Sequence, residues 1–339
     1  MSIGQSIVNW YENKGRDLPW RNTRDPYPIW ISEIILQQTR IAQGIGYYER
    51  FLGRFPNLKS LAEAEQDEVL KYWEGLGYYS RARNLHAAAQ QLMNDYGGVF
   101  PDHYTELLKL KGVGPYTARA IGSFAFDNAT GVIDGNVLRV MSRMLNDFSP
   151  IDVPATRKQF QKIIDTWVAA VPSSPFNQGI MDIGSTICTP TKPACLICPL
   201  LAHCEGYQQG SIHLLPQKAK KLKRKDRYFH FYLIQNEAQA FIVRQRPSKG
   251  LWGGLWEVPN REIEKEKWDN KLDEEAEASY LGSLKHVFTH FDMHIQVFSL
   301  LSERSPTWAK GQFIVANEID DYAFAKAMLK IFDQYIKKD

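Results

Sequence analysis

The chain of 339 residues is 44% hydrophobic and 23% charged, which excludes disorder over most of its length and leaves room for two domains. No apolar run approaches the roughly 18 residues that span a bilayer. The start lacks the basic flank and long apolar stretch of a secretory leader, so a cytoplasmic protein with no targeting signal and no membrane partner is expected. The net charge of +3 is concentrated: residues 1–217 carry twenty Lys/Arg and twenty Asp/Glu, residues 218–227 seven against one, and residues 228–339 fourteen against seventeen. Bulk charge is too weak to announce a nucleic-acid binder, so any such reading must rest on motifs.

In chain order, the first informative element is Pro28-Ile-Trp-Ile-Ser-Glu-Ile-Ile-Leu-Gln-Gln-Thr39, an apolar helix with Glu33 set among isoleucines and a leucine. A carboxyl in such surroundings loses solvation and holds its proton more tightly, which makes a general acid available near neutral pH. Next comes Leu108-Lys-Leu-Lys-Gly-Val-Gly-Pro-Tyr-Thr-Ala-Arg-Ala120. Gly112 and Gly114 permit a tight turn, and Pro115 suits the first position of the following helix, whose free amides can grip a phosphate. Asp134 then ends an apolar run and opens a helix with Val137, Val140, Met141, Met144 and Leu145 on one face. Backbone amides at that cap are expected to hold Asp134 ionised. An ionised carboxylate and a desolvated, protonated one suit cleavage of a glycosidic bond.

A second helical pattern at Ile163, Ile164, Trp167 and Val168 precedes the cysteines. All four lie within 17 residues, as Cys188-x6-Cys195-x2-Cys198-x5-Cys204. Four thiols this close predict one metal centre, and spacing leaves zinc and an iron–sulfur cluster equally open. Residues 1–215 are thus expected to be an all-α domain, with a hairpin at about 105–126 and a cysteine loop at 188–204. The basic stretch 216–227 reads as a linker. Beyond it, Tyr228–Ile234, Ala240–Arg244 and Met293–Phe298 read as strands, with helices near 261–278 and 321–336. Residues 228–339 are expected to form a separate α+β domain.

The hairpin, the Ile133-Asp-Gly-Asn-Val137 segment and the cysteine tail resemble the endonuclease III superfamily of helix–hairpin–helix DNA glycosylases. Trp30–Thr39, Gly75-Leu-Gly-Tyr-Tyr-Ser-Arg-Ala-Arg-Asn84 and Arg246-Pro-Ser-Lys-Gly-Leu-Trp-Gly-Gly-Leu-Trp256 narrow the resemblance to its adenine-specific (MutY) branch, over nearly the whole chain. This implies base-excision repair of adenine opposite 8-oxoguanine in double-stranded DNA, by a monomer. It implies a [4Fe–4S] cluster on Cys188, Cys195, Cys198 and Cys204. Glu33 would protonate the flipped adenine at N7, and Asp134 would stabilise the sugar cation. Tyr116 and Asn136 would assist by hydrogen bonds, while Trp20 and Arg21 line the base pocket. Gln38 and Tyr78 would wedge into the duplex, and Gly112 and Gly114 would meet its phosphate.

Tyr116 stands where strand-cutting relatives carry a Schiff-base lysine, so the implied enzyme is monofunctional. Lys111 replaces the usual hairpin proline, and Leu138 replaces a lysine found in some relatives. The C-terminal part resembles a Nudix (MutT-like) fold. Glu262, Glu264, Glu266, Glu274, Glu275 and Glu277 do not reproduce its metal-binding pattern and are expected on a solvated helix face. Recognition of 8-oxoguanine would fall to His286, Phe288, Thr289 and His290. Two other readings are an endonuclease III-like glycosylase and lyase on oxidised pyrimidines, and a non-catalytic iron–sulfur DNA-binding module.

Overall fold

The computed structural model describes residues 1–37, 39–219, 224–269 and 278–337. Twelve α-helices precede the first strand among them: α1 (Ile3–Lys14), α2 (Pro26–Leu36), α3 (Ile41–Arg54), α4 (Leu58–Ala62), α5 (Gln66–Tyr72), α6 (Ser80–Asp95), α7 (Tyr104–Leu107), α8 (Pro115–Phe126), α9 (Gly135–Met144), α10 (Pro154–Val168), α11 (Ser173–Asp182) and α12 (Glu205–Gln208). The chain divides into two compact units, one of residues 1–62 with 87–221, the other of 63–86 with 222–339. No described helix is long and apolar enough to cross a membrane.

The first unit is helical because its apolar residues recur on helix faces. Val137, Met141 and Met144 of α9 pack with Phe160, Ile164 and Val168 of α10 and with Phe176 and Ile180 of α11. Each such side chain contributes about 1.5–3 kcal/mol by leaving water. A second cluster joins Ile29 of α2 to Ala120 and Phe124 of α8 and to Val132. It sets the helix that carries Glu33 against the helix that carries Tyr116. A π-helical turn, Ile183–Ile187, continues α11 as far as Cys188.

The second unit is built on a mixed sheet of β1 (Lys225–Gln235), β2 (Phe241–Gln245), β3 (Trp256–Glu257), β4 (Asn260–Ile263), β5 (Ser279–Val287), β6 (Phe291–Leu301) and β7 (Gln312–Ile314). The order is β3-β2-β1-β6-β5, with β4 added on β1 and β7 on β2. β1 and β6 run parallel from Lys225↔Phe291 to Gln235↔Leu301. All residues from Phe229 to Ile234 are buried, so β1 shows no alternation over that run, as a strand covered on both faces requires. Helix α14 (Lys326–Tyr335) covers one part of the sheet, with Phe332 5.2 Å from the ring of Phe241.

Three expectations change. Residues 260–263 are a strand, not part of a helix: Ile263 faces Tyr228 and Asn260 faces Phe231. Glu262 therefore lies on β4, paired to Arg227, and among the described residues of that region Lys265–Asp269 (α13) is the helical part. Glu274, Glu275 and Glu277 lie outside the described residues. The helix expected near 321–336 begins only at Lys326, after a 3-10 turn at Ala316–Asp321. Finally, residues 63–86 belong to the compact unit of the C-terminal sheet, not to that of the other helices. The Tyr79 hydroxyl donates to Phe324 O at 3.2 Å, Phe324 N donates to Glu74 Oε1 at 2.9 Å, and Lys71 Nζ to Tyr322 O at 3.1 Å.

Candidate active site

Within the first unit, a cleft of about 720 Å³ is lined by Trp20, Arg21, Glu33, Tyr116, Asp134 and Asn136 together. Glu33 sits on α2, only 7% exposed. The Tyr116 hydroxyl, at the start of α8, donates to its Oε2 at 2.8 Å. Burial pushes the Glu33 carboxyl up to about 7; the Tyr116 bond pulls down, the nearby Asp134 charge pushes up and Arg21 pulls down. Desolvation wins, as the apolar helix implied.

Asp134 caps α9. Val137 N donates to its Oδ1 at 2.7 Å, and Asn136 Nδ2 to its Oδ2 at 2.8 Å. The expectation of a carboxyl held low by these amides is not met. Burial raises Asp134 above the ordinary aspartate value, against the lowering by Val137, Asn136 and Arg139. The cap is present, but the walls of the cleft remove more solvation than two hydrogen bonds restore. Asn136 is held in turn by Arg139, whose Nη2 donates to Asn136 Oδ1 at 3.0 Å and to Gly184 O at 2.6 Å, while its Nε donates to Cys188 O at 2.8 Å.

Sequence reasoning missed several residues that line the cleft or hold its lining in place. Asp182, fully buried at the end of α11, accepts from Arg21 at 2.7 and 2.9 Å and from the backbone and side chain of Arg16. Burial works to raise its carboxyl, but the Arg21 and Arg16 bonds prevail and hold it below the usual range. Gln178 and Ser185 line the same cleft. An acid between Met181 and Ile183 is the same signal that singled out Glu33, and it could have found Asp182.

The hairpin turn has the expected form. Gly112 has φ +72°, which a side chain would strain. Gly114 caps α8 without any side-chain bond, and Pro115 follows it. A Cβ at Gly114 would meet nothing within 4 Å, so the face over the helix amides is open. All four cysteines line one cavity, with Val140, Met144 and Leu200 around them. Arg143, 1% exposed, donates to Cys188 Sγ at 3.3 Å and to Thr189 O, Pro190 O, Ile212 O and Leu215 O. Among the described residues no three His, Cys, Asp or Glu side chains stand so as to hold one metal ion.

In the second unit, Tyr78 and Thr289 come together. Tyr78 is 43% exposed on a turn in which Gly75, Gly77 and Tyr78 all have positive φ. Its hydroxyl hydrogen-bonds Thr289 Oγ1. Arg81 braces the turn through Leu76 O and Gly77 O at 3.3 and 3.2 Å. Thr289 lies between β5 and β6, where Phe288 stacks on Phe291 with centroids 4.4 Å apart and meets His286 edge-on at 4.7 Å. Burial, with Lys330 and Lys326 nearby, holds the His286 imidazole below its ordinary value. His290 follows at the same tip, its carbonyl accepting from Lys225 N at 3.3 Å. Gln38 lies outside the described residues.

Residues 31–166 match the HhH-GPD superfamily of base excision DNA repair proteins, and residues 230–334 match a NUDIX domain. The chain is 35% identical to an adenine DNA glycosylase of Buchnera aphidicola subsp. Schizaphis graminum, covering 86% of each chain. It is 30% identical to the human adenine DNA glycosylase, over 97% of this chain and 73% of that one. A solved thermostable thymine-DNA glycosylase superposes with TM-score 0.56 at 31% identity, over 61% of this chain and 95% of that one. A cleft with the carboxyls of Glu33 and Asp134, a glycine hairpin and a four-cysteine loop thus occur together in a chain that shares about a third of its residues with such enzymes, and the chain belongs to the adenine DNA glycosylase family.

Proposed function

We propose that the protein excises adenine paired with 8-oxoguanine, or with guanine, from double-stranded DNA. The observation that carries this is the placement of the buried Glu33 and the half-buried Asp134 in one cleft. The adenine is flipped out of the duplex, at a cost of a few kcal/mol that is smaller at a mispair, and enters between Trp20, Arg21 and the carboxyls. Glu33, with a proton affinity near neutrality, protonates N7 and makes the base a better leaving group. Asp134, ionised, then stabilises the oxocarbenium-like sugar. Val137 N and Asn136 Nδ2 bond that ionised form. Tyr116 holds Glu33 in place.

No lysine lines the cleft among the described residues. The reaction is therefore hydrolysis of the N-glycosidic bond without strand scission, which disfavours the lyase reading. The four cysteines would hold a [4Fe–4S] cluster. Four thiols lining one cavity are a donor set that fits such a group. When bound, such a cluster ties the 188–204 loop together. Arg143 and Arg139 anchor that loop to α9 at Cys188.

Tyr78 and Thr289, with Phe288, His286 and His290, form the reader of the base opposite adenine. The hydroxyls supply hydrogen bonds and the rings stack or wedge. The unit of residues 63–86 and 222–339 thus serves recognition, and the stretch expected as a linker to residue 227 already enters β1 at Lys225. The test is an excision assay on duplexes with adenine opposite 8-oxoguanine, guanine and thymine, with and without alkali. Glu33→Gln is expected to abolish excision while leaving duplex binding intact. Near-normal excision by that variant, or strand cleavage without alkali, overturns the assignment.

A further inference from the structure

The segment Gly250-Leu-Trp-Gly-Gly254 holds a backbone anomaly. Trp252 has φ +53°, between Gly250 at +90° and Gly254 at +78°. A bulky residue avoids this region, and it persists only where the surroundings over-determine it. Glycine flanks the position, yet tryptophan occupies it. Its ring is 9% exposed and lies 5.7 Å from the ring of Phe288 and 6.2 Å from that of His286.

The loop that carries Trp252 is fixed from behind. Gly254 N donates to Pro247 O at 3.1 Å and Leu255 N to Trp252 O at 3.0 Å. A Cβ at Gly253 would collide with Ser248 O, and one at Gly254 would touch Leu70 and Arg83. Arg83, on α6, donates to Gly253 O. The same helix begins two residues after Tyr78. Hence one strained loop ties the helix behind Tyr78 to the rings beside Thr289.

We infer that Trp252 is a positioning residue for recognition of the base opposite adenine, holding Phe288 and His286 at a fixed height beside Tyr78. This rests on the reading of the hairpin tip as the reader. The strained backbone aims the ring at Phe288; an unstrained loop would leave that ring without its buttress.

The experiment compares kcat/KM for adenine opposite 8-oxoguanine with that opposite guanine in the full-length protein. Trp252→Gly relieves the strain and removes the ring, and it is expected to lower the ratio about tenfold, mainly through KM for the 8-oxoguanine duplex. Trp252→Phe restores most of it. In a double-mutant cycle with Phe288→Ala the effects are expected to be non-additive, because Trp252 acts through Phe288. Should Trp252→Gly fail to fold, Trp252→Leu, which keeps buried bulk without the ring, takes its place. An unchanged ratio, an equal loss on both duplexes, or additivity overturns the inference. If Phe288→Ala and Thr289→Val themselves leave the ratio unchanged, the reader lies elsewhere and both readings fall; if they lower it and the Trp252 variants do not, only this inference falls.

Discussion

The Tyr116 hydroxyl and the Glu33 carboxyl, 83 positions apart in the chain, meet at 2.8 Å in the cleft. That bond lowers the proton affinity of Glu33, while burial raises it to about 7. In Tyr116→Phe the lowering bond is gone, so the carboxyl holds its proton to higher pH. The limb on which excision falls as Glu33 loses its proton, centred near pH 7 in the parent, is expected to move to the alkaline side. The maximal rate is expected to drop by about tenfold as the acid loses its fixed orientation. A pH–rate profile under single turnover checks both; a limb that moves to lower pH contradicts the bond's role.

The same carboxyl makes stability depend on pH. A group whose proton affinity is higher folded than unfolded contributes fully below its unfolded value and loses that contribution as pH rises through the folded one. For Glu33 the window runs from about 4.5 to about 7. Above it the ionised, buried carboxyl costs the fold roughly 3 kcal/mol. Glu33→Gln is therefore expected to stabilise the protein more at pH 8 than at pH 5, as denaturant unfolding at the two pH values would record. Equal effects at both would contradict the burial of a titrating acid.

Arg143 satisfies carbonyls on both sides of the cysteine loop, at Thr189, Pro190, Ile212 and Leu215. Replacing it by methionine leaves the buried Leu215 carbonyl without this donor, at about 1–3 kcal/mol, and frees three half-buried bonds at less each. Arg143→Met is expected to lose several kcal/mol of stability and most of the iron bound per chain. Thermal unfolding together with iron analysis and absorbance near 400 nm tests this; a variant with full iron content would show that the loop holds its shape without the guanidinium.

Removing residues 228–339 takes away Thr289 and Phe288 and also the supports of Tyr78. Arg83 loses Gly253 O, Tyr79 loses Phe324 O, and Glu74 loses Phe324 N. Truncation is expected to reduce discrimination for 8-oxoguanine over guanine more than Thr289→Val does, and more than it reduces excision itself. Competition assays on the two duplexes measure it. Equal discrimination in the truncated and Thr289→Val proteins would mean that Tyr78 needs no such support.

Much of the cleft was legible because its chemistry leaves local marks. An acid inside an isoleucine-rich helix, a glycine–proline corner and four clustered cysteines each carry their own physical reason in a few residues. Asp134 was legible as a cap but not in its proton affinity, since desolvation depends on what closes over it from other helices. The placement of residues 63–86 left no local sign: Leu70 and Tyr79 read as ordinary core residues whichever partner buries them. Nor does the run Asn260–Ile263 differ by periodicity from a helix start; its pairing with Tyr228–Phe231 decides it.

The excursion of residues 63–86 into the second unit has a consequence for synthesis. As the ribosome delivers the chain, this stretch emerges long before Gly253 and Phe324, the backbone groups that complete it. At about 5–20 residues per second, the wait is on the order of ten seconds or more. During that interval the nascent polypeptide exposes sticky surface, which makes it a client for chaperones until its last hundred residues arrive.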